Sequence, residues 1–319
     1  MRDEAEHRAD GEAVEVGARR CREAGGLKVG FCGLGRMGSA IAGRVAGGGH
    51  ELVVWNRSPE KTAPLEAAGA SVAASIAEAC AEREVVITML ADDAALRKAA
   101  LGEGGLRDSL PAGAIHMPMG THGVGVIAEL AAAHADAGQV LVAVPVLGRP
   151  EVAAEGRLGL VPAGPPDAVE RCRPLFEVIG RRVIEAGERP EGATAVKLAH
   201  NFVLGAAIEA MGEAFALVRK YGIEAQVLHD VLTDVLFDAP AYKVYGRIIS
   251  EEAYDEVGFT VALALKDANL IMAAGDAARV PLPSANIYRD RLLSAIAHGD
   301  GELDWAVIAR EQAQASGLE

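Results

Sequence analysis

From residue 27 onward the apolar positions alternate between two textures. Short, almost unbroken runs such as "LKVGFCGLG" (27–35), "ELVVW" (51–55), "EVVITML" (84–90) and "GAIHMPMG" (113–120) predict strands buried on both faces. Between them, "RMGSAIAGRVAGGGH" (36–50), "DAALRKAAL" (93–101) and "GVGVIAELAAAHADAG" (123–138) carry helical spacing. "QVLVAVPVLG" (139–148), "RLGLVPAG" (157–164) and "RRVIEAG" (181–187) read as further strands around the helical "PDAVERCRPLFEVIG" (166–180). This alternation predicts a mostly parallel α/β sheet with helices on both faces. It stops near Gly187. "GATAVKLAHNFVLGAAIEAMGEAFALVRKYG" (192–222) is one helical pattern without proline, roughly 40 Å long if continuous. Everything after it reads as helices and loops. The expected α/β architecture is a parallel-sheet domain over 27–188 and an all-helical domain over 189–319, joined by the long interdomain helix.

The opening 26 residues are charged throughout, lack an apolar core and read as a mobile extension rather than a signal peptide. No run is expected to span a bilayer. The net charge of −14 argues against nucleic acid or an anionic membrane as general partner. Cys21, Cys32, Cys80 and Cys172 are scattered, with no CxxC pair and no zinc spacing, so they read as reduced thiols of a cytoplasmic protein without a metal.

Chemistry first shows at Gly33-Leu34-Gly35-Arg36-Met37-Gly38, a GxGxxG that closes the first strand and opens a helix. In that setting the first glycine allows a tight turn, the second lets a pyrophosphate approach and the third lets helix pack on strand. The second strand ends on "VVWNRSPEK" (53–61). Asn56 stands where a ribose-binding carboxylate usually sits, and no acid occupies the tip. Arg57, Ser58 and Lys61 suit a 2′-phosphate instead, so NADPH is expected over NADH. On the long helix Lys197 precedes Asn201 by one turn, a pair that either protonates and orients a carbonyl oxygen or is a plain polar stripe. His200 reads as structural.

"VGFCGLGRMGSAIA", "GHELVVWNRSPEK", "PVLGRPEVAAEGRLGLVPAG", "KLAHNF" with "EAF", "LKDANL" and "LDWAVI" stand in the order seen in the β-hydroxyacid dehydrogenase family, which this chain resembles from Leu27 on. The resemblance implies a Rossmann domain, a helical second domain and a substrate cleft between them. It implies Lys197 as catalytic acid/base, Asn201 as substrate support, Lys266 as a cofactor contact and Asp267 as the residue fixing that segment. Leu90, Ala91 and Thr121 would add cofactor contacts.

Departures mark the substrate end. Gly120 to Gly123 read "GTHG" where the family usually has Ser-Thr-Ile-Ser, and Leu147-Gly148-Arg149 replace a Ser-Gly-Gly. The usual carboxylate clamp is therefore weakened, and a less acidic, larger carbonyl substrate is expected. Arg149 either restores a carboxylate donor or forms a surface ion pair. His122 is either an added polar contact or structural. Phe237, Tyr242 and Tyr245 are either cleft-lining or ordinary half-buried aromatics. The alternatives are an imine reductase, whose relatives carry aspartate or tyrosine in place of Lys197, and a NADPH-binding module without turnover. Small residues along the long helix, with the family's habit, imply a homodimer or higher homo-oligomer.

Overall fold

The computed structural model describes residues 26–318. The charged opening, apart from Gly26, lies outside the described residues. Nine strands follow in chain order: β1 (Lys28–Cys32), β2 (Glu51–Trp55), β3 (Ser71–Val72), β4 (Val85–Thr88), β5 (Ile115–Pro118), β6 (Val140–Leu141), β7 (Val146–Leu147), β8 (Leu158–Leu160) and β9 (Gly180–Val183). The first six form one parallel sheet in the order β3-β2-β1-β4-β5-β6. The order reverses at β1/β4, which opens a crevice at the carboxyl ends of those strands. β4 and β5 are buried along their whole length, which is why their sequences show no polar face.

Strands β7, β8 and β9 form a second sheet, antiparallel between β7 and β8 and parallel between β8 and β9. The sequence pattern placed all these runs in one continuous sheet. Pro145 breaks "QVLVAVPVLG" in two: Val140–Leu141 stays in the large sheet and Val146–Leu147 enters the small one. A proline removes a ladder donor, which favours a break in the strand at that point.

The long helix runs Pro190–Lys220, with proline at its start, Glu191 in its first turn and Arg219 and Lys220 in its last, as the helix dipole favours. The chain divides into two compact units inside this helix, at Lys197/Leu198. Its start belongs to the first unit because Ala193 is buried in a cluster with Leu96, Ile127, Leu130 and Val161. The helix also corrects the expectation that no run could cross a bilayer. By length and mean hydropathy (1.4) it passes that test, with 44% of the apolar window buried within the protein.

In the second unit four further helices of eight residues or more follow: Pro240–Ser250, Val261–Ala278, Pro283–Ala297 and Ile308–Ala315. The "LDWAVI" segment organises their far end. Buried Asp304 accepts from the N–H groups of Gly258, Phe259 and Ala306. Trp305 takes Tyr245 and Phe259 edge-on, with ring centroids 5.7 and 5.4 Å away. Tyr245 is therefore a core aromatic; Phe237 and Tyr242 meet at a tilt, with ring centroids 4.9 Å apart.

Candidate functional site

The three glycines of the first loop differ in what surrounds them. Gly33 has φ +105°, and a Cβ there would lie 2.4 Å from the Met89 carbonyl oxygen. At Gly38 a Cβ would stand 2.0 Å from the Gly33 carbonyl oxygen, so the helix Arg36–Gly47 can sit on the turn only if this residue is glycine. Gly35 is exposed and a Cβ on it would meet nothing within 4 Å. It caps that helix with no side-chain hydrogen bond, leaving the first-turn amides open to an anion. Two glycines thus serve packing, and the third leaves room for a ligand. This geometry fits a dinucleotide pyrophosphate.

Arg36 is exposed and Met37 half-buried, while Leu34 is buried. The Leu34 N–H donates to Asn56 Oδ1 at 2.8 Å, and Asn56 Nδ2 donates to the Ser58 carbonyl at 2.9 Å. Asn56 therefore clasps the glycine loop to the tip of β2 with both ends of its amide. That leaves Arg57, exposed and without a carboxylate partner among the described residues, as the cation of the tip.

Leu90 packs against Gly33 from the turn after β4, with Ala91 exposed beside it. After β5, Thr121 is half-buried and His122 fully buried. His122 Nδ1 lies 3.3 Å from Asp93 Oδ1, and Asp93 also accepts the Gly123 N–H at 3.0 Å. Burial pushes the Asp93 carboxyl up, but the bonds from His122 and Gly123 outweigh it and leave it below its usual value. A Cβ on Gly120 would fall 2.5 Å from His122 Nε2, so the imidazole fills the space a side chain at 120 would take. Leu147 packs on Gly159, Gly148 has φ +141°, and Arg149 is half-buried at the start of a short helix.

On the long helix Lys197 is half-buried, and Asn201, one turn on, is buried. Asn201 Nδ2 donates to Asp267 Oδ2 at 2.6 Å, and its Oδ1 lies 3.1 Å from His200 Nδ1. Asp267 Oδ1 lies 2.9 Å from Lys266 Nζ. One buried carboxylate thus sets the amide's orientation and brings together two residues 65 positions apart (266 − 201). Asn201, Asp267 and Lys266 thus offer an oriented amide and a cation, and Lys197 stands one turn before Asn201 on the same helix.

Sequence reasoning missed Asp93 as the partner of His122. It also missed three polar residues buried within the sheet and its covering helix, Thr88, His116 and His134. The one visible signal for these was a histidine inside an apolar strand run, "IHMP".

Two family models match the chain in order. That of the NAD binding domain of 6-phosphogluconate dehydrogenase covers residues 28–187, and that of the NAD-binding of NADP-dependent 3-hydroxyisobutyrate dehydrogenase covers 192–311. The uncharacterized oxidoreductase YfjR of Bacillus subtilis is 38% identical, over 89% of this chain and 99% of its own. Glyoxylate/succinic semialdehyde reductase 1 of Arabidopsis thaliana is 30% identical, over 88% and 97%. Among solved structures, the 3-hydroxyisobutyrate dehydrogenase of Mycobacterium tuberculosis with L-serine superposes with a TM-score of 0.82 at 27% identity, over 90% and 99% of the two chains. An imine reductase from Pseudomonas sp. shares the fold, with a TM-score of 0.58 at 24% identity over 89% and 99%. Matched in both halves and across nearly all its described length, the protein belongs to the family of 3-hydroxyisobutyrate dehydrogenase and 6-phosphogluconate dehydrogenase-like NAD(P)-binding oxidoreductases, which act on CH–OH/C=O groups.

Proposed function

We propose that the protein is a NADPH-dependent reductase of a small carbonyl compound, with Lys197 as the general acid. The observation that carries this reading is the amide of Asn201, locked by Asp267 one helical turn from Lys197. Bound NADPH supplies the hydride that the carbonyl carbon receives. Lys197 gives a proton to the carbonyl oxygen as negative charge develops there. Asn201 keeps one N–H and one lone pair beyond those facing Asp267 and His200, enough to orient the substrate. Lys266, held beside Asp267, is the further cofactor contact that the resemblance implies. Preference for NADPH is supported by Arg57, whose planar guanidinium suits a 2′-phosphate where an NAD enzyme places an acid.

The substrate reading rests on Gly120, His122, Gly123 and the Leu147-Gly148-Arg149 segment. No serine hydroxyl stands at these positions, and Leu147 makes its wall apolar. We therefore favour a neutral or weakly acidic carbonyl over the small semialdehydes named for the Arabidopsis relative. Self-association is a further part of this reading. Val203, Leu217, Tyr221, Val235 and Leu236 are each at least 60% exposed, an apolar set suited to a second copy of the chain.

The test is NADPH and NADH oxidation by the full chain, with Lys197→Ala alongside, against carboxylated aldehydes, neutral aldehydes and ketones, and cyclic imines. Lys197-dependent turnover of a carbonyl supports the assignment, and preference for neutral carbonyls supports the altered clamp. Turnover of imines alone moves the protein to C=N chemistry. Tight NADPH binding without any turnover makes it a binding module.

A further inference from the structure

Beneath the turn that carries Leu90 and Ala91 lies a buried chain of side chains that the reaction above does not use. Thr88 Oγ1 is 3.0 Å from His116 Nε2, His116 Nδ1 is 2.9 Å from His134 Nε2, and His134 Nδ1 is 2.6 Å from Gln139 Oε1. Gln139 Nε2 donates to the carbonyls of Arg107 and Leu110 at 2.9 and 2.8 Å. Thr88, His116 and His134 are fully buried and Gln139 nearly so.

The far end fixes the first proton. Gln139 donates through its nitrogen to two carbonyls, so its oxygen accepts, and His134 must carry hydrogen on Nδ1. If that ring is neutral its Nε2 is bare, so His116 must donate from Nδ1. The bare Nε2 of His116 then accepts from the Thr88 hydroxyl. The chain runs one way, and both imidazoles are neutral. Protonating one would force two donors to face each other or reverse the bonds upstream. Among the described residues the titratable groups acting on the rings are each other, His122 on the loop after β5 and Arg107 on the short helix before it, with no carboxylate among them. Burial is the chief cause that holds both histidines below their usual value; at His134 the Gln139 bond opposes it in part and the Arg107 guanidinium adds to it.

The near end touches the dinucleotide loop. Thr88 is the last residue of β4, and its carbonyl accepts the Met119 N–H at 2.9 Å. The next residue, Met89, supplies the carbonyl packed under Gly33 and the Cβ nearest Gly38 from that turn. The geometry points to a positioning role: Thr88, His116, His134 and Gln139 form a one-directional strut that sets the height of the Met89 turn and so the seat of the dinucleotide loop. This rests on the reading that the dinucleotide lies on that edge of the sheet.

Two measurements on the full chain test it. Nitrogen-15 spectra of the histidine rings are assigned by loss of one signal pair each in His116→Asn and His134→Asn. Both rings are expected to be neutral with hydrogen on Nδ1; either ring found charged or protonated on Nε2 overturns the one-way chain. The second measurement is the dissociation constant for NADP+ in the wild type, Thr88→Val and Val86→Ala, a core truncation in the same strand outside the chain. Thr88→Val should weaken binding about fivefold, one ordinary hydrogen bond's worth, with Val86→Ala at the wild-type value. Equal weakening in both variants, or none in Thr88→Val, overturns the positioning role. A wild type that binds no dinucleotide removes the proposed cofactor reading and this role with it, while the ring spectra still decide the chain.

Discussion

At the residue scale the site is set as much by missing atoms as by present ones. Gly33→Ala would combine a positive φ with a Cβ 2.4 Å from a backbone oxygen, so we expect it to lower the unfolding midpoint and abolish dinucleotide binding together. Gly35→Ala meets nothing and should leave the urea midpoint where it is, while raising the dissociation constant for NADP+ about tenfold or more by intruding on the pyrophosphate. A matching loss in the midpoint would show that Gly35 serves the fold instead. Arg57→Ala should raise KM for NADPH by about 10- to 100-fold, the range of a charge-assisted bond, and leave KM for NADH unchanged; equal effects on both would remove it from the 2′-phosphate. The glycine motif was legible in the sequence because local spacing carries it, whereas spacing left Lys197 and Asn201 indistinguishable from a polar stripe and only the resemblance singled them out. Asp267 was legible only through resemblance, since nothing in residues 261–278 announces that its carboxylate meets an amide 66 positions earlier. Asn56 was legible as a position but not as a clasp, for its partners are backbone atoms that no sequence pattern displays.

At the scale of elements, helices were the most readable and strands the least where they are short. Val261–Ala278 lies in the stretch expected to be all-helical, opened by a Thr260 cap on Leu263. β3, two exposed residues at the sheet edge, has too little apolar content to register as a strand. Pro145 was in plain view, but its consequence, a second sheet, depends on where β8 and β9 find partners. Helical glycines give a test at this scale. Gly43 lies on an exposed helical face with nothing within 4 Å of a Cβ, so Gly43→Ala should stabilise by about 0.5–1 kcal/mol. Gly212 on the long helix faces the Ala309 backbone, its Cβ site 3.0 Å from Ala309 Cα, so Gly212→Ala should bring no gain and lower the midpoint. Urea unfolding of the two variants separates propensity from packing; a gain at both sites would mean that the helices there are not pressed together.

For the whole molecule, the buried histidines make stability depend on pH with a definite sign. His50, His116 and His134 all lie below the ordinary value of 6.5 in the folded chain, each chiefly through burial. Between the folded and unfolded values the unfolded chain binds more protons, so stability rises with pH there. Their contribution is complete above about pH 6.5 and is lost as pH falls below it. The urea midpoint should therefore fall on acidification from pH 6.5, with a shallower slope in His116→Asn; an unchanged slope would mean that His116 is not held neutral by the fold.

The helix that both units share has a genetic corollary. Most proteins of two units are joined through a loop, where a residue gained or lost does little harm. Here the joint at Lys197/Leu198 is mid-helix. Recombining the front half of one relative with the back half of another must therefore keep the helical phase. One residue too many would turn everything downstream by about 100° and carry Asn201 off the face that presents Lys197. Length changes in this family's genes should accordingly gather in the surface loops and spare the joint.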